Sequence, residues 1–149
     1  MDHRYTAVVA WSSDAETHRS GRYSRAHEWR FDGGAVVPGS AGASVPGADP
    51  SAVDPEEALV AAVSSCHMLF FLAIARKHGL TITAYEDEAD GVMSPNDAGK
   101  LYVSTITLRP RITFEGATDP AVVDQVHHLA HTECYLANSI RGDVIIQPR

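Results

Sequence analysis

The segment from Asp54 to Gly79 constrains the fold more than any other part of this 149-residue chain. Asp54-Pro55-Glu56-Glu57 is a helix start: Asp can cap the free amides, Pro suits the first helical position, and Glu57 stands three residues after the cap. From Ala58 to Ala75 the run is apolar apart from Ser64, Ser65 and His67. Arg76, Lys77 and His78 then favour the negative end of the helix dipole and Gly79 stops the helix, which is therefore expected to run to about His78. A helix that is apolar nearly all round has to be enclosed on most sides, which is more cover than one small sheet provides. At roughly 18 residues the run barely reaches the minimum for a membrane span. With no second span beside it, a central buried helix is the better account.

Around this helix the chain reads as strands. Tyr5 to Trp11 and Tyr23 to Phe31 are rich in β-formers, and the polar stretch from Ser12 to Gly21 between them reads as the long, mobile tip of a hairpin. Asp32-Gly33-Gly34 is a turn before a short third strand at Val36-Val37, and Pro38 to Pro50 has the composition of a surface loop. Leu80 to Met93 and Leu101 to Phe114, joined by a turn at Pro95 to Gly99, form a second hairpin. Asp119-Pro120 opens another helix carrying Val122, Val123, Val126, Leu129 and Ala130. A break near Thr132 precedes a short segment with Cys134 and a last strand over Asp143 to Gln147. Hairpins flanking a long helix make an α+β fold, and the length fits a single domain over 1–149 with no internal repeat.

A formal net charge of -7 gives no attraction to phosphate backbones, so nucleic acid is not an expected partner. No apolar signal segment follows Met1, which points to the cytoplasm, where thiols stay reduced. The two cysteines are therefore catalytic, metal-binding or simply buried. Cys66 lies in Ser64-Ser65-Cys66-His67, a polar patch inside the apolar helix; the plain reading is an inert core thiol, but burial would penalise its neighbours unless they find partners. Cys134, in His131-Thr132-Glu133-Cys134, lies where the helical pattern fails, and a new segment starting there would lower its pKa through the free amides. His127 and His131 stand four apart with Cys134 three further on, so a zinc or small-ligand binding protein using them with Cys66 is the rival reading. Arg22 and Arg25 near the hairpin tip, and Glu56 in a first helical turn, would be ordinary surface charges if taken alone.

Taken together, Asp54-Pro55-Glu56-Glu57 leading to Ser64-Ser65-Cys66, and His131-Thr132-Glu133-Cys134 followed by Asn138-Ser139, resemble the OsmC/Ohr family of osmotically inducible and organic hydroperoxide resistance proteins. The resemblance covers almost the whole chain and implies an intertwined, cytoplasmic homodimer with a site at the subunit interface. It implies that Cys66 attacks an organic hydroperoxide and that Cys134 resolves the resulting sulfenic acid as a disulfide. Glu56 would hold a catalytic arginine, Arg22 or Arg25, with Arg22 preferred as nearer the tip. Neither metal nor cofactor is implied; a dithiol, in the family a lipoylated protein or similar donor, would restore the thiols. Met68, Leu69, Phe70 and Phe71 are expected as apolar walls for the substrate. Two departures from the family pattern are Tyr135 in place of a proline and His67 after the first cysteine. A helix unbroken from Pro55 would put Glu56 roughly 15 Å from Cys66 along its axis. Either it starts later, or it breaks near Ser64, or the arginine spans the gap.

Overall fold

In the computed structural model, which describes residues 2–149, the chain divides after Ala58 into two compact units joined through one helix. The N-terminal unit is an antiparallel meander of β1 (Ala7–Ala10), β2 (His27–Phe31) and β3 (Val36–Gly39). Its registers are Ala7↔Phe31 for the first pair and His27↔Gly39 for the second. The expected mobile tip is instead ordered into a short helix, α1 (Ala15–Arg19), because Asp14 accepts a hydrogen bond from the Thr17 amide at 2.8 Å and caps it. The loop after β3 returns beside its own strand: the Val53 amide donates to the Pro38 carbonyl and the Ser40 amide to the Val53 carbonyl.

The long helix, α2 (Pro55–Lys77), has the ends that its sequence predicts. Asp54 accepts from the Glu57 amide at 2.8 Å while Glu57 accepts from the Asp54 amide at 3.2 Å, a reciprocal capping box. At the other end Leu80 N–H reaches the Ala75 carbonyl and Gly79 N–H that of Arg76, a turn that needs φ of +77° at Gly79.

The C-terminal unit departs from a simple hairpin. The arms break at Glu88–Ala89, so β4 (Ile82–Asp87) pairs with β7 (Pro110–Phe114), and β5 (Asp90–Pro95) pairs with β6 (Leu101–Leu108). The last strand, β8 (Asp143–Ile146), runs parallel to β6. A helix, α3 (Pro120–Glu133), is capped by Asp119, which accepts from the Ala121 amide at 2.9 Å. Phe71 and Ala75 of α2 meet Val126 and Ala130 of α3 in one core, walled by Tyr85, Ile112 and Phe114. Val63 meets Ile106 and Leu108 in a second. Gly91 lets β5 approach α2, since a Cβ there would lie 2.7 Å from Val60.

Within the chain α2 is covered along one side, so the cover expected on its other sides is not supplied by this chain alone. Only Val63, His67, Phe71 and Ala75 are fully buried, one line at four-residue spacing. Ala61, Ser65, Leu69 and Ala73 face outward, with Leu69 62% exposed. By length and composition alone this helix could cross a membrane, yet its buried line packs against protein.

Candidate active site around two cysteines

Three residues of the polar patch of α2 each find a hydrogen-bond partner. Ser64 donates to the Asp87 carboxylate, Ser65 donates back to the Ala62 carbonyl at 3.2 Å, and His67 shares a hydrogen bond with His127 at 3.1 Å. Asp87 also accepts from the Arg109 amide where the hairpin breaks, so one carboxylate ties α2 to both strands of that break. Removing it strands two polar groups at once, and Asp87→Ala should lower unfolding free energy by about 1–3 kcal/mol in urea denaturation.

Cys134 sits at the C-cap of α3, extended at φ -65° and ψ 111°, and is 1% exposed. The turn behind it explains the Asn138-Ser139 part of the motif. The Asn138 side-chain amide donates to the carbonyls of Thr132 and Cys134 at 2.9 and 3.0 Å, and Ser139 donates to the Tyr135 carbonyl. The turn thus fixes the direction in which the Cys134 sulfur leaves the helix, toward the half-buried Cys66 thiol, which is near enough to raise its pKa. Both cysteines are free.

The sequence argument that free amides would lower the Cys134 pKa is overturned. The Ala137 amide does donate to the sulfur at 3.4 Å, but burial pushes the thiol up, and the neighbouring Cys66 thiol pushes it further. Cys134 ends a helix rather than opening one, so few amides face it. It is a neutral thiol beside a more accessible one. That asymmetry suits a resolving sulfur and leaves Cys66 as the one able to meet a ligand.

The expected apolar wall is corrected as well. Successive residues on a helix turn by about 100°, so four in a row cannot share a face. Phe71 is wholly buried in the core, Leu69 points away, and only Met68 and Phe70 are half-buried. Tyr135, which in the sequence stood out only as a departure from the family pattern, is 68% exposed next to Cys134 and packs edge-on against Phe70 at 5.0 Å. This aromatic pair, drawn from α2 and from the turn after α3, is the apolar surface next to the sulfurs.

The zinc arrangement is not assembled: among the described residues no three His, Cys, Asp or Glu side chains are grouped to hold a metal ion. Instead of joining the cysteines, His127 turns its Nδ1 to His67, with the two rings nearly parallel at 3°. Burial lowers both imidazoles to a pKa of about 4; for His67 the neighbouring His127 and His131 add to this, while Asp124 and Asp87 oppose it at His127. Nothing in the sequence links His67 to His127, since they lie 60 residues apart.

The remaining candidates lie toward the N-terminus. Arg22 is exposed and reaches only Ser20 Oγ at 3.4 Å. Arg25 is half-buried: its guanidinium lies over the Tyr23 ring at 4.0 Å, receives the Tyr23 hydroxyl as a partner, and donates through Nε to the Pro46 carbonyl at 3.3 Å. With Trp11, His18 and Tyr23 it lines an open depression of about 330 Å³. Glu56 is exposed in the first turn of α2. Because α2 neither starts late nor breaks near Ser64, two of the three ways of closing the distance from Glu56 to Cys66 are removed.

Comparison with known proteins agrees with this architecture. The family model described as OsmC-like protein matches residues 47–149. The chain belongs to the OsmC-like family. An OsmC-like protein of unknown function from Vibrio cholerae is 41% identical, with a TM-score of 0.93 over 99% of this chain and 100% of that one. An organic hydroperoxide resistance protein from Elizabethkingia anophelis shares 16% identity and a TM-score of 0.71 over 99% of this chain and 96% of that one. OhrB of Bacillus subtilis, also an organic hydroperoxide resistance protein, shares 18% and 0.64 over 97% and 98%. At identities this low the last two likenesses are ones of fold. No curated protein sequence matches the chain. The fold is the mixed α+β fold that the motifs imply.

Proposed function

We propose that this OsmC-like protein is a cysteine-based reductase of organic hydroperoxides. The observation that carries the reading is the contact between an accessible thiol, Cys66, and a buried, neutral one, Cys134. The Cys66 thiolate attacks the terminal oxygen of ROOH, the O–O bond breaks, and RO⁻ takes a proton and leaves as the alcohol. Cys66 is then a sulfenic acid; Cys134 attacks its sulfur, a disulfide forms, and water leaves. An external dithiol, such as a lipoylated protein, exchanges with the disulfide and returns both thiols.

The Phe70–Tyr135 surface favours an alkyl or lipid hydroperoxide over the small, polar hydrogen peroxide. Arginine would stabilise the thiolate and the developing alkoxide, with Glu56 holding the guanidinium through paired hydrogen bonds. We assign that role to Arg25 in preference to Arg22, since a guanidinium already fixed by a ring, a hydroxyl and a carbonyl loses less freedom on binding. The protein would act as a cytoplasmic homodimer in defence against oxidative stress, the partner helix covering the outward line of Ala61, Ser65, Leu69 and Ala73.

The direct test is dithiothreitol-dependent consumption of cumene or tert-butyl hydroperoxide by the purified protein; no consumption above the thiol background would remove the reading. Within it, Arg25→Lys should lower kcat/KM by roughly 10–1000-fold, because lysine keeps the charge but loses the planar fork. Arg22→Ala should stay within about twofold, as expected for an exposed charge held by one long contact. Equal losses in the two variants would reverse the assignment.

A further inference from the structure

The proposed chemistry uses the two sulfurs and leaves unused a buried polar contact between α2 and α3. His67 and His127 are 1% and 5% exposed, and their rings join α2 to α3 through one nitrogen–nitrogen hydrogen bond of 3.1 Å. Their places in sequence give that bond leverage. His67 directly follows Cys66, so a fixed ring at 67 sets the rotation of α2 at the cysteine. His127 precedes Cys134 by seven residues, about two helical turns, and so lies on nearly the same face of α3. A slide of one residue between the helices, about 1.5 Å, would change that register.

We infer that the His67–His127 pair is the positioning device that keeps Cys66 and Cys134 in bonding register, and that protonation of the two imidazoles weakens it until, with both charged, it fails. The bond requires a ring nitrogen bearing hydrogen to face one without. A first added proton leaves that bond possible but puts a charge where burial disfavours it, on rings that are 1% and 5% exposed. A second proton sets two N–H groups face to face. The groups around the pair offset the added charge only in part, through the pull of Asp124 and Asp87 on His127. On α3, His131 can add only positive charge, and Asp124 is exposed. From β4, Asp87 is already engaged by Ser64 and the Arg109 amide, while Tyr85 packs its ring on Phe71. From β7 come only Ile112 and Phe114. Nδ1 of His67, Nε2 of His127 and Nδ1 of His131 are buried without a protein partner, so no acceptor waits for an added proton. Protonation therefore favours parting of the helices, and the sulfurs part with them.

This deepens the peroxidase reading, on which the use of the sulfurs rests, and its test involves no peroxide. By linkage, if acid separates the sulfurs, then joining them must make the imidazoles harder to protonate. The disulfide form is prepared with oxidised glutathione: its sulfur–sulfur bond takes two electrons, the Cys66 and Cys134 thiols give up two protons, and two reduced glutathiones leave. The C–H resonances of His67 and His127 are then followed by NMR against pH in the dithiol and disulfide proteins. The titration midpoints should be lower in the disulfide by about 0.7 pH unit or more, a factor of about five in proton affinity. A purely structural pair would titrate alike in both forms, and coincident midpoints overturn the inference. Hydroperoxide turnover with coincident midpoints removes the clamp alone; shifted midpoints without turnover keep the clamp and remove the peroxidase reading.

Discussion

Cys66→Ser is expected to reduce dithiol-dependent turnover of tert-butyl hydroperoxide by about a thousandfold or more, to the rate of the thiol reductant by itself. A serine hydroxyl is almost wholly protonated at neutral pH and cannot carry the two-electron step from thiolate to sulfenic acid. Cys134→Ser should behave differently. Its first step needs only Cys66, so one equivalent of hydroperoxide should yield one equivalent of alcohol and a protein heavier by a single oxygen. Continued turnover in that variant would then depend on how fast the external thiol attacks the sulfenic acid directly. The contrast follows from burial, since Cys134 is 1% exposed and Cys66 is not fully covered. Mass spectrometry after one equivalent of peroxide reads both results, and undiminished turnover in Cys66→Ser would remove this sulfur from the chemistry.

What could be read in the sequence was local. The ends of α2 were legible because a capping box and a C-terminal glycine act within a few residues of each other, and both work as their residue types predict. The two motifs around the cysteines were legible as a family pattern, though not for the right electrostatic reason at Cys134. Whether a thiol lies before a helix or after one decides the sign of the amide effect, and a break in periodicity does not reveal which. What depends on distant pairing was not legible. The parallel seat of β8 beside β6 brings together residues about 38 positions apart, Thr105 with Asp143, with no turn between to announce it. Similarly, the apolar residues of α2 gave no hint of which would be core. Their hydrophobicity is nearly uniform around the helix, so only packing separates Phe71, fully buried, from Leu69, two residues before it.

The same packing gives the second large effect, a loss of stability on mild acidification. His67 and His127 titrate at about 4 in the folded protein and near 6.5 when free of it. Above pH 6.5 both states leave the rings neutral, and the pair contributes its full stabilisation. Below that the unfolded chain takes up protons that the folded one refuses, so stability falls with pH down to about 4, where the folded rings also protonate and the loss levels off. A displacement of this size amounts to about 3 kcal/mol for each imidazole over the whole window, of which about 2 kcal/mol should be gone by pH 5. Because the first proton can leave the shared hydrogen bond in place, the two losses add incompletely, and we expect about 3–5 kcal/mol in all. Urea midpoints measured from pH 7.5 to pH 4 should drop accordingly, by about 1 M or more. Carboxylates contribute their own slope at the acid end, so the comparison that isolates the pair is His67→Leu with His127→Leu. Replacing both partners by apolar groups leaves no buried donor or acceptor behind, and the double variant should fold at neutral pH with nearly the original stability. Its midpoint should then stay almost level from pH 6.5 to pH 5, where the original protein weakens. Parallel pH profiles for the two proteins would place the acid sensitivity elsewhere, and a level profile in both would mean that the buried rings accept protons without parting.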